Sequence, residues 1–314
     1  MRTAWVTDDT YITYRVVDNF LQGYGLTWNT DERVQAYTHP LWLFLILSFQ
    51  FMTREAYATG IVLSIAVSLA ALALLAFRVA RSTNAAMLGL LTLLLSRAFV
   101  DFATCGLENP LTNLLLALFM LACLRTPHDV RRFFLLCVVG GLGILTRADF
   151  TLLVVPVLVV AAVGLPKRAA LKAALAAFLP VFAWEAFSLV YYGSLVPNTA
   201  YAKLNTGIQR SELVIQGAHY LLESLKRDPL TLGVIACGIA VPFVTGRKNL
   251  VRIALGIAAY LAYVVWIGGD FMSGRFLTPP LFAAVSVLSQ FRFESRRVVW
   301  PASAAVVVMG LLPG

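Results

Sequence analysis

The chain has 314 residues, of which 60% are hydrophobic and only 13% charged, with a formal net charge of +9 and a mean hydropathy of +0.80. A soluble domain carries about a quarter charged residues, so this composition excludes one, and so much apolar surface also excludes a disordered chain. The basic surplus reads as loop residues that set membrane orientation, not as a nucleic-acid surface.

Residues 1–55 read as an extracytoplasmic loop. It opens on Thr7-Asp8-Asp9-Thr10-Tyr11-Ile12-Thr13-Tyr14-Arg15, with a short helix expected from Tyr11 to Leu21, and continues through a Gly23-Tyr24-Gly25 turn to Tyr37-Thr38-His39-Pro40. The apolar stretch 41–52 falls well short of the ~20 residues a span needs, so it reads as an interfacial helix. Candidate spans follow near 56–77, 84–100, 110–124, 133–147, 150–166, 173–192, 230–245, 250–267, 276–290 and 298–313. The expectation is an all-α, polytopic integral membrane protein of about ten transmembrane helices over 56–314, with an extracytoplasmic loop at 193–229.

Charge alternation orients these spans. One set of loops collects 14 of the 25 lysines and arginines, among them Arg78, Arg132, Lys167, Arg247 and Arg297; the opposite set holds 13 of the 16 acids. The basic set is cytoplasmic and the acidic, motif-rich face extracytoplasmic. Counting 41–52 as a full span would break this alternation. Because no apolar run precedes residues 1–38, a first transmembrane helix is expected to be missing from this chain, together with any C-terminal domain. Cys105, Cys123, Cys137 and Cys237 have neither metal-ligand nor disulfide-framework spacing and read as small apolar packers.

The outer face carries the candidate chemistry. Asp8 and Asp9 are either a helix cap followed by a solvated acid or a carboxylate pair able to act as a general base. In Cys105-Gly106-Leu107-Glu108-Asn109-Pro110-Leu111, Glu108 is a helix-cap partner or a ligand contact. In Arg147-Ala148-Asp149 the arginine is half of an internal ion pair or a substrate contact. The loop opening at Tyr191-Tyr192-Gly193 places Tyr201, which can stack on a sugar or sit in an aromatic belt, and Lys203, which can meet an anionic headgroup. In Gly268-Gly269-Asp270-Phe271-Met272-Ser273-Gly274-Arg275-Phe276, Arg275 is a phosphate clamp or a snorkelling anchor. With His39, these residues suit a phosphate-bearing lipid substrate handled at the interface. They name no certain cofactor and define no metal site, while leaving a divalent metal open.

Five motifs in this order, from Asp8-Asp9 through Gly106-Leu107-Glu108-Asn109-Pro110-Leu111, Thr146-Arg147-Ala148-Asp149 and Tyr191–Lys203 to Gly268–Phe276, resemble the GT-C membrane glycosyltransferases. The branch they resemble is the terminal beta-(1→2)-arabinofuranosyltransferase family of mycobacterial cell-wall assembly. Ala148 and Ser273 stand where many relatives are expected to have proline. The resemblance implies an inverting transfer of a sugar, a pentofuranose in this branch, from a polyprenyl-phosphate donor to an extracytoplasmic glycan or other hydroxyl acceptor at the cell membrane. It implies Asp8 as the base, with Asp9 as second choice, and Arg275, Lys203, Arg15 and Arg147 as groups facing the departing phosphate. The substrate-binding set expected is thus Arg15, His39, Glu108, Arg147, Tyr201, Lys203, Asp270 and Arg275. The competing expectation is a transporter or flippase of lipid-linked envelope intermediates. That function favours ionisable groups near the bilayer midplane, where Glu185 is the clearest candidate.

Overall fold

A computed structural model describes residues 5–124, 128–198, 201 and 207–311 of the chain. Among them there are helices and turns but no strand. Thr7 starts α1 (Asp8–Leu21), its hydroxyl accepting from the Thr10 amide while Asp8 and Asp9 occupy the first turn, where negative charge complements the helix dipole. The helix thus begins three residues earlier than the sequence suggests, because the acids are part of it. Helix α2 (Pro40–Thr53) starts on a proline that needs no amide partner and stops at Arg54, whose φ of 56° is left-handed. Glu55 then caps α3 (Ala56–Leu74) through the Tyr57 and Ala58 amides, and a π-helical turn, Leu75–Val79, extends it.

The remaining helices are α4 (Thr83–Leu95), α5 (Arg97–Asp101), α6 (Asn109–Leu124), α7 (Val130–Thr146), α8 (Phe150–Ala162), α9 (Lys167–Ala177), α10 (Leu179–Tyr192), α11 (Arg210–Arg227), α12 (Pro229–Val244), α13 (Lys248–Trp266), α14 (Thr278–Leu288) and α15 (Arg296–Leu311). A 3-10 turn, Arg275–Leu277, leads into α14. Two spans expected to be continuous are broken. Residues 84–100 divide at Ser96, which caps α5, and residues 173–192 bend by 50° between α9 and α10, where Pro180 opens the second helix. The loop at 193–229 contains α11, an 18-residue helix that meets α12 at 113°.

Two helices, Ala56–Val79 and Lys248–Trp266, are long and apolar enough to cross a membrane, and up to four spans result if each bent pair counts as one. Six further apolar helices are shorter, and α14, expected as a span, is buried along nearly its whole length as the centre of the bundle. Large apolar side chains such as Phe77, Val190 and Val244 lie more than four-fifths exposed on the outside, a surface suited to lipid and not to water. Backbones meet closely where side chains vanish: a Cβ on Gly256 of α13 would stand 2.5 Å from the Leu153 carbonyl oxygen of α8, and one on Gly238 of α12 would collide with Ala284 of α14. Tyr14, Val17, Trp42 and Ile46 of α1 and α2 join the same apolar core as α3, α6 and α14. That packing ties the first two helices to the rest of the bundle.

Candidate functional site

Glu108 is the centre of the site. It precedes α6, and its main-chain carbonyl accepts from Thr112, so the helix start fixes its position. The loop before it is tied to α1 and α2: the Thr7 amide and Thr10 hydroxyl both donate to the Cys105 carbonyl, and the Trp42 indole donates to the Gly106 carbonyl at 2.8 Å. The Glu108 side chain is 2% exposed. Its Oε1 accepts from Arg147 Nη1 at 2.8 Å and from Arg275 Nη2 at 3.4 Å, and its Oε2 lies 3.5 Å from His39 Nδ1.

Each partner is held in turn. Arg147, at the end of α7, forks onto Asp149 through Nε at 2.9 Å and Nη2 at 2.5 Å, and its Nη2 also reaches the Tyr260 hydroxyl, which donates to Asp149 at 2.9 Å. Most of its donors are thereby committed, and its guanidinium lies over the Phe276 ring. Arg275, in the turn before α14, sits 3.4 Å from Asp9 Oδ2 and 3.7 Å from Asp270 Oδ2, and Asn109 donates to its carbonyl. His39, which ends the loop before α2, pairs its Nε2 with the Thr13 hydroxyl at 2.8 Å.

These contacts set the protonation states. Burial favours neutral Glu108, but Arg275, His39 and Arg147 outweigh it and hold the carboxyl down at about 2. Burial lowers His39 below its ordinary 6.5, against the opposing pull of Glu108, so the imidazole is neutral at pH 7. The ring thus stands between the Thr13 hydroxyl at Nε2 and the Glu108 carboxylate on its Nδ1 side. Several buried polar atoms around Glu108 lack hydrogen-bond partners: Glu108 Oε2, Asn109 Oδ1, Asp270 Oδ2 and Arg275 Nε. Three are acceptors and one is a donor. Such groups are costly to leave unmade, and a ligand rich in hydroxyls with one anionic group would satisfy them.

A cleft of about 730 Å³ borders α1, lined by Asp8, Tyr11, Arg15, Trp28, Arg54 and Tyr57 among others. Consecutive helix residues point about 100° apart. Asp8 therefore faces the cleft while Asp9 faces Arg275. Of the residues expected in the substrate-binding set, His39, Glu108, Arg147, Asp270 and Arg275 come together around Glu108. Arg15 lies in the cleft, stacked 4.3 Å over the Trp28 ring. Tyr201 is exposed, and its hydroxyl accepts from Ser194 at 3.3 Å. Lys203 lies outside the described residues. Among the described residues no three His, Cys, Asp or Glu side chains group as metal ligands.

Several members of the site had no signal of their own in the sequence. Tyr260 is one tyrosine in the apolar run of α13, and Thr13 is one hydroxyl in α1. Asp149 stood in a motif but was weighed only as the partner of Arg147.

Comparison with known proteins agrees with the motifs. Over 325 aligned positions, covering 90% of this chain and 52% of the relative, the chain is 30% identical to the terminal beta-(1→2)-arabinofuranosyltransferase of Mycobacterium tuberculosis. It is 28% identical to the protein of the same name from Corynebacterium glutamicum, over 91% of this chain and 48% of the relative. The resemblance to that family is thereby borne out across nine-tenths of the chain. The chain spans about half the length of these curated relatives. No protein-family model and no solved structure matches it.

Proposed function

We propose that the protein is a multi-pass cell-membrane glycosyltransferase, crossing about ten times, whose extracytoplasmic face moves a pentofuranose from a polyprenyl-phosphate donor to a glycan hydroxyl. The observation that carries this is the set of unpartnered buried groups around Glu108, beside a guanidinium and an acidic helix start. The named relatives, which match nine-tenths of the chain, supply the sugar class.

In this reading the donor sugar lies against Glu108, Asn109 and Asp270, whose oxygens without a hydrogen bond accept from its hydroxyls. Arg275 grips the phosphate, because its Nε is the guanidinium donor left without a partner. Arg147 is a positioning residue: it is spent on Asp149, Tyr260 and Glu108. The acceptor enters from the cleft, and its hydroxyl oxygen attacks the anomeric carbon from the face opposite the phosphate. The new C–O bond forms as the bond to the phosphate oxygen breaks, which inverts the anomeric centre. The hydroxyl proton passes to the Asp8 carboxylate, and the bonding pair leaves with polyprenyl phosphate, whose growing charge Arg275 stabilises. An incoming phosphate competes with Asp9 for Arg275, so donor binding loosens the Asp9 contact.

The test is transfer from a synthetic polyprenyl-phosphate arabinofuranose by the full-length protein in detergent, with Asp8→Asn, Asp9→Asn and Arg275→Gln beside it. Transfer that falls with these substitutions supports the assignment. Full activity in all three variants, or no transfer by the native protein to any hydroxyl acceptor, overturns it.

A further inference from the structure

A smaller hollow, of about 210 Å³, opens at the elbow where α11 meets α12, behind the turn that leads to Arg275. It is below the ~300–1,000 Å³ of most ligand pockets, and has room for a headgroup but not for a sugar chain. We infer that it binds the phosphoethanolamine group of a membrane phospholipid, with the phosphate on Arg227 and the ammonium among Asp101, Asp228 and Ser224.

The walls of the hollow suit a zwitterion. Arg97, Arg227 and Asp101 stand on the exposed rim, and Asp228, Ser224 and Ser273 complete the polar lining. The two bases match the two acids, so a bare anion or a bare cation meets as much repulsion as attraction, whereas a ligand carrying both charges a few bonds apart does not. Asp228 is held in place: its Oδ2 accepts from the Ala98 amide at 3.1 Å and the Thr231 hydroxyl at 2.5 Å, and its Oδ1 from the Thr231 amide at 3.1 Å. Partial burial pushes the Asp101 carboxyl up; Arg97 opposes that and Asp228 adds to it, so an added cation is welcome there. Ser224 is 3% exposed, yet its Oγ has no hydrogen-bond partner. A buried hydroxyl left unmade is costly, and an ammonium N–H satisfies it. Among the described residues no third His, Cys, Asp or Glu joins these acids as a metal ligand.

The setting of the hollow points to a lipid as the source of this group. Helix α11 has three faces. Gly217, Tyr220 and Ser224 are buried against the protein, Ile215, Leu222 and Leu225 form an apolar stripe about half exposed, and His219, Glu223 and Lys226 make an exposed polar edge. An apolar stripe beside a polar edge is the pattern of a helix that lies in a membrane interface. The apolar helix α12 leaves it at 113°, the bend a chain makes in passing from the interface into hydrocarbon. The hollow at that bend therefore lies at headgroup depth, where the acyl chains of its ligand can run down the lipid-facing surface.

The test is calorimetric titration of the full-length protein in detergent with the dihexanoyl forms of phosphatidylethanolamine, phosphatidylcholine and phosphatidylglycerol, and with free phosphoethanolamine. The ethanolamine lipid should bind with a Kd at least about tenfold below those of the other two lipids, because choline has no N–H to donate and glycerol has no positive charge. Arg227→Gln and Asp101→Asn should each raise that Kd about tenfold, and Ser224→Ala should raise it about threefold. Without lipid all three variants should unfold at or above the native temperature, since Arg227 and Asp101 are exposed and Ser224 Oγ has no hydrogen bond to lose. Equal Kd values for the three lipids, or native affinity in the variants, overturn the site. Free phosphoethanolamine bound as tightly as the lipid would overturn the lipid source and assign the hollow to a soluble ligand. Calcium binding that is lost in Asp101→Asn and blocks the lipid would make it a metal site instead. These titrations involve no sugar transfer, so the inference and the transferase reading fail separately.

Discussion

Arg147 Nη1 and Glu108 Oε1 meet at 2.8 Å, and both side chains are more than nine-tenths buried. The pair joins the end of α7 to the start of α6, and Arg275 and His39 lean on the same carboxylate from two other elements. A buried ion pair contributes little over a well-packed apolar pair, but breaking one side of it leaves a desolvated charge. Glu108→Gln removes the carboxylate the two guanidiniums share and leaves Arg147 on Asp149 and Arg275 beside Asp9 and Asp270. It should cost about 1–3 kcal/mol, read as a lower unfolding temperature in detergent. Arg147→Met combined with Glu108→Gln should cost less than the two single changes added together, because the double variant removes both ends of one interaction. Strict additivity would show that the pair is not coupled.

Acid should weaken the same knot in two steps. His39 has a folded-state pKa below its ordinary 6.5, so the stability due to its neutral form is full above 6.5 and is lost as pH falls beneath that value. Glu108 is held down at about 2 against an ordinary 4.5, so its contribution is full above 4.5 and drains away as pH falls towards 2. The unfolding temperature should be flat between pH 7 and 8, fall below pH 6.5, and fall more steeply below pH 4.5. His39→Gln should flatten the first limb and keep the second. Loss of stability on raising the pH from 7 to 8 would contradict the assigned protonation states.

Much of this site could be read in the sequence because its motifs are local. Asp8 and Asp9, Glu108, Arg147 and Arg275 each sit in a short polar run between apolar stretches, at helix ends that face one side. The geometry among them was not readable, since it depends on how four loops meet. Nothing in the spacing says that Asp9, and not Asp8, turns to Arg275, or that Tyr260 closes the Arg147–Asp149 fork from within an apolar helix. The position of each helix was equally hidden. Hydropathy sees that 276–290 is apolar, but it does not tell a helix that faces lipid from one packed at the centre of a bundle, and only packing shows that α14 is surrounded by protein. Ser96 and Pro180 break two spans with signals too common to weigh alone.

The glycine contacts at the heart of the bundle predict a stability phenotype remote from the chemistry. Gly256→Ala adds a methyl against the Leu153 backbone, which cannot swing aside as a side chain would. The gain in helix propensity, about 1 kcal/mol, should be outweighed by overpacking of about 1–3 kcal/mol. The variant should unfold at lower temperature while KM for donor and acceptor stays native in the folded fraction. A variant more stable than the native protein would mean that α8 and α13 do not approach this closely.

The two adjacent aspartates offer the sharpest division of labour. Asp8 lines the cleft, whereas Asp9 Oδ2 lies 3.4 Å from Arg275, so they should fail differently when neutralised. Asp8→Asn keeps the helix start and the size of the side chain but cannot take a proton, and should lower kcat by about 10²–10⁴ with little change in donor KM. Asp9→Asn releases Arg275 from one carboxylate. It should lower the donor KM, since the phosphate no longer competes for the guanidinium, and should reduce kcat less than Asp8→Asn does. A pH–rate profile supplies the independent check. The acidic limb of kcat/KM, which reports the free enzyme's base, should disappear in Asp8→Asn and survive in Asp9→Asn. If the limb instead survives in Asp8→Asn and vanishes in Asp9→Asn, the proton goes to the carboxylate beside Arg275, and Asp8 belongs to the acceptor cleft alone.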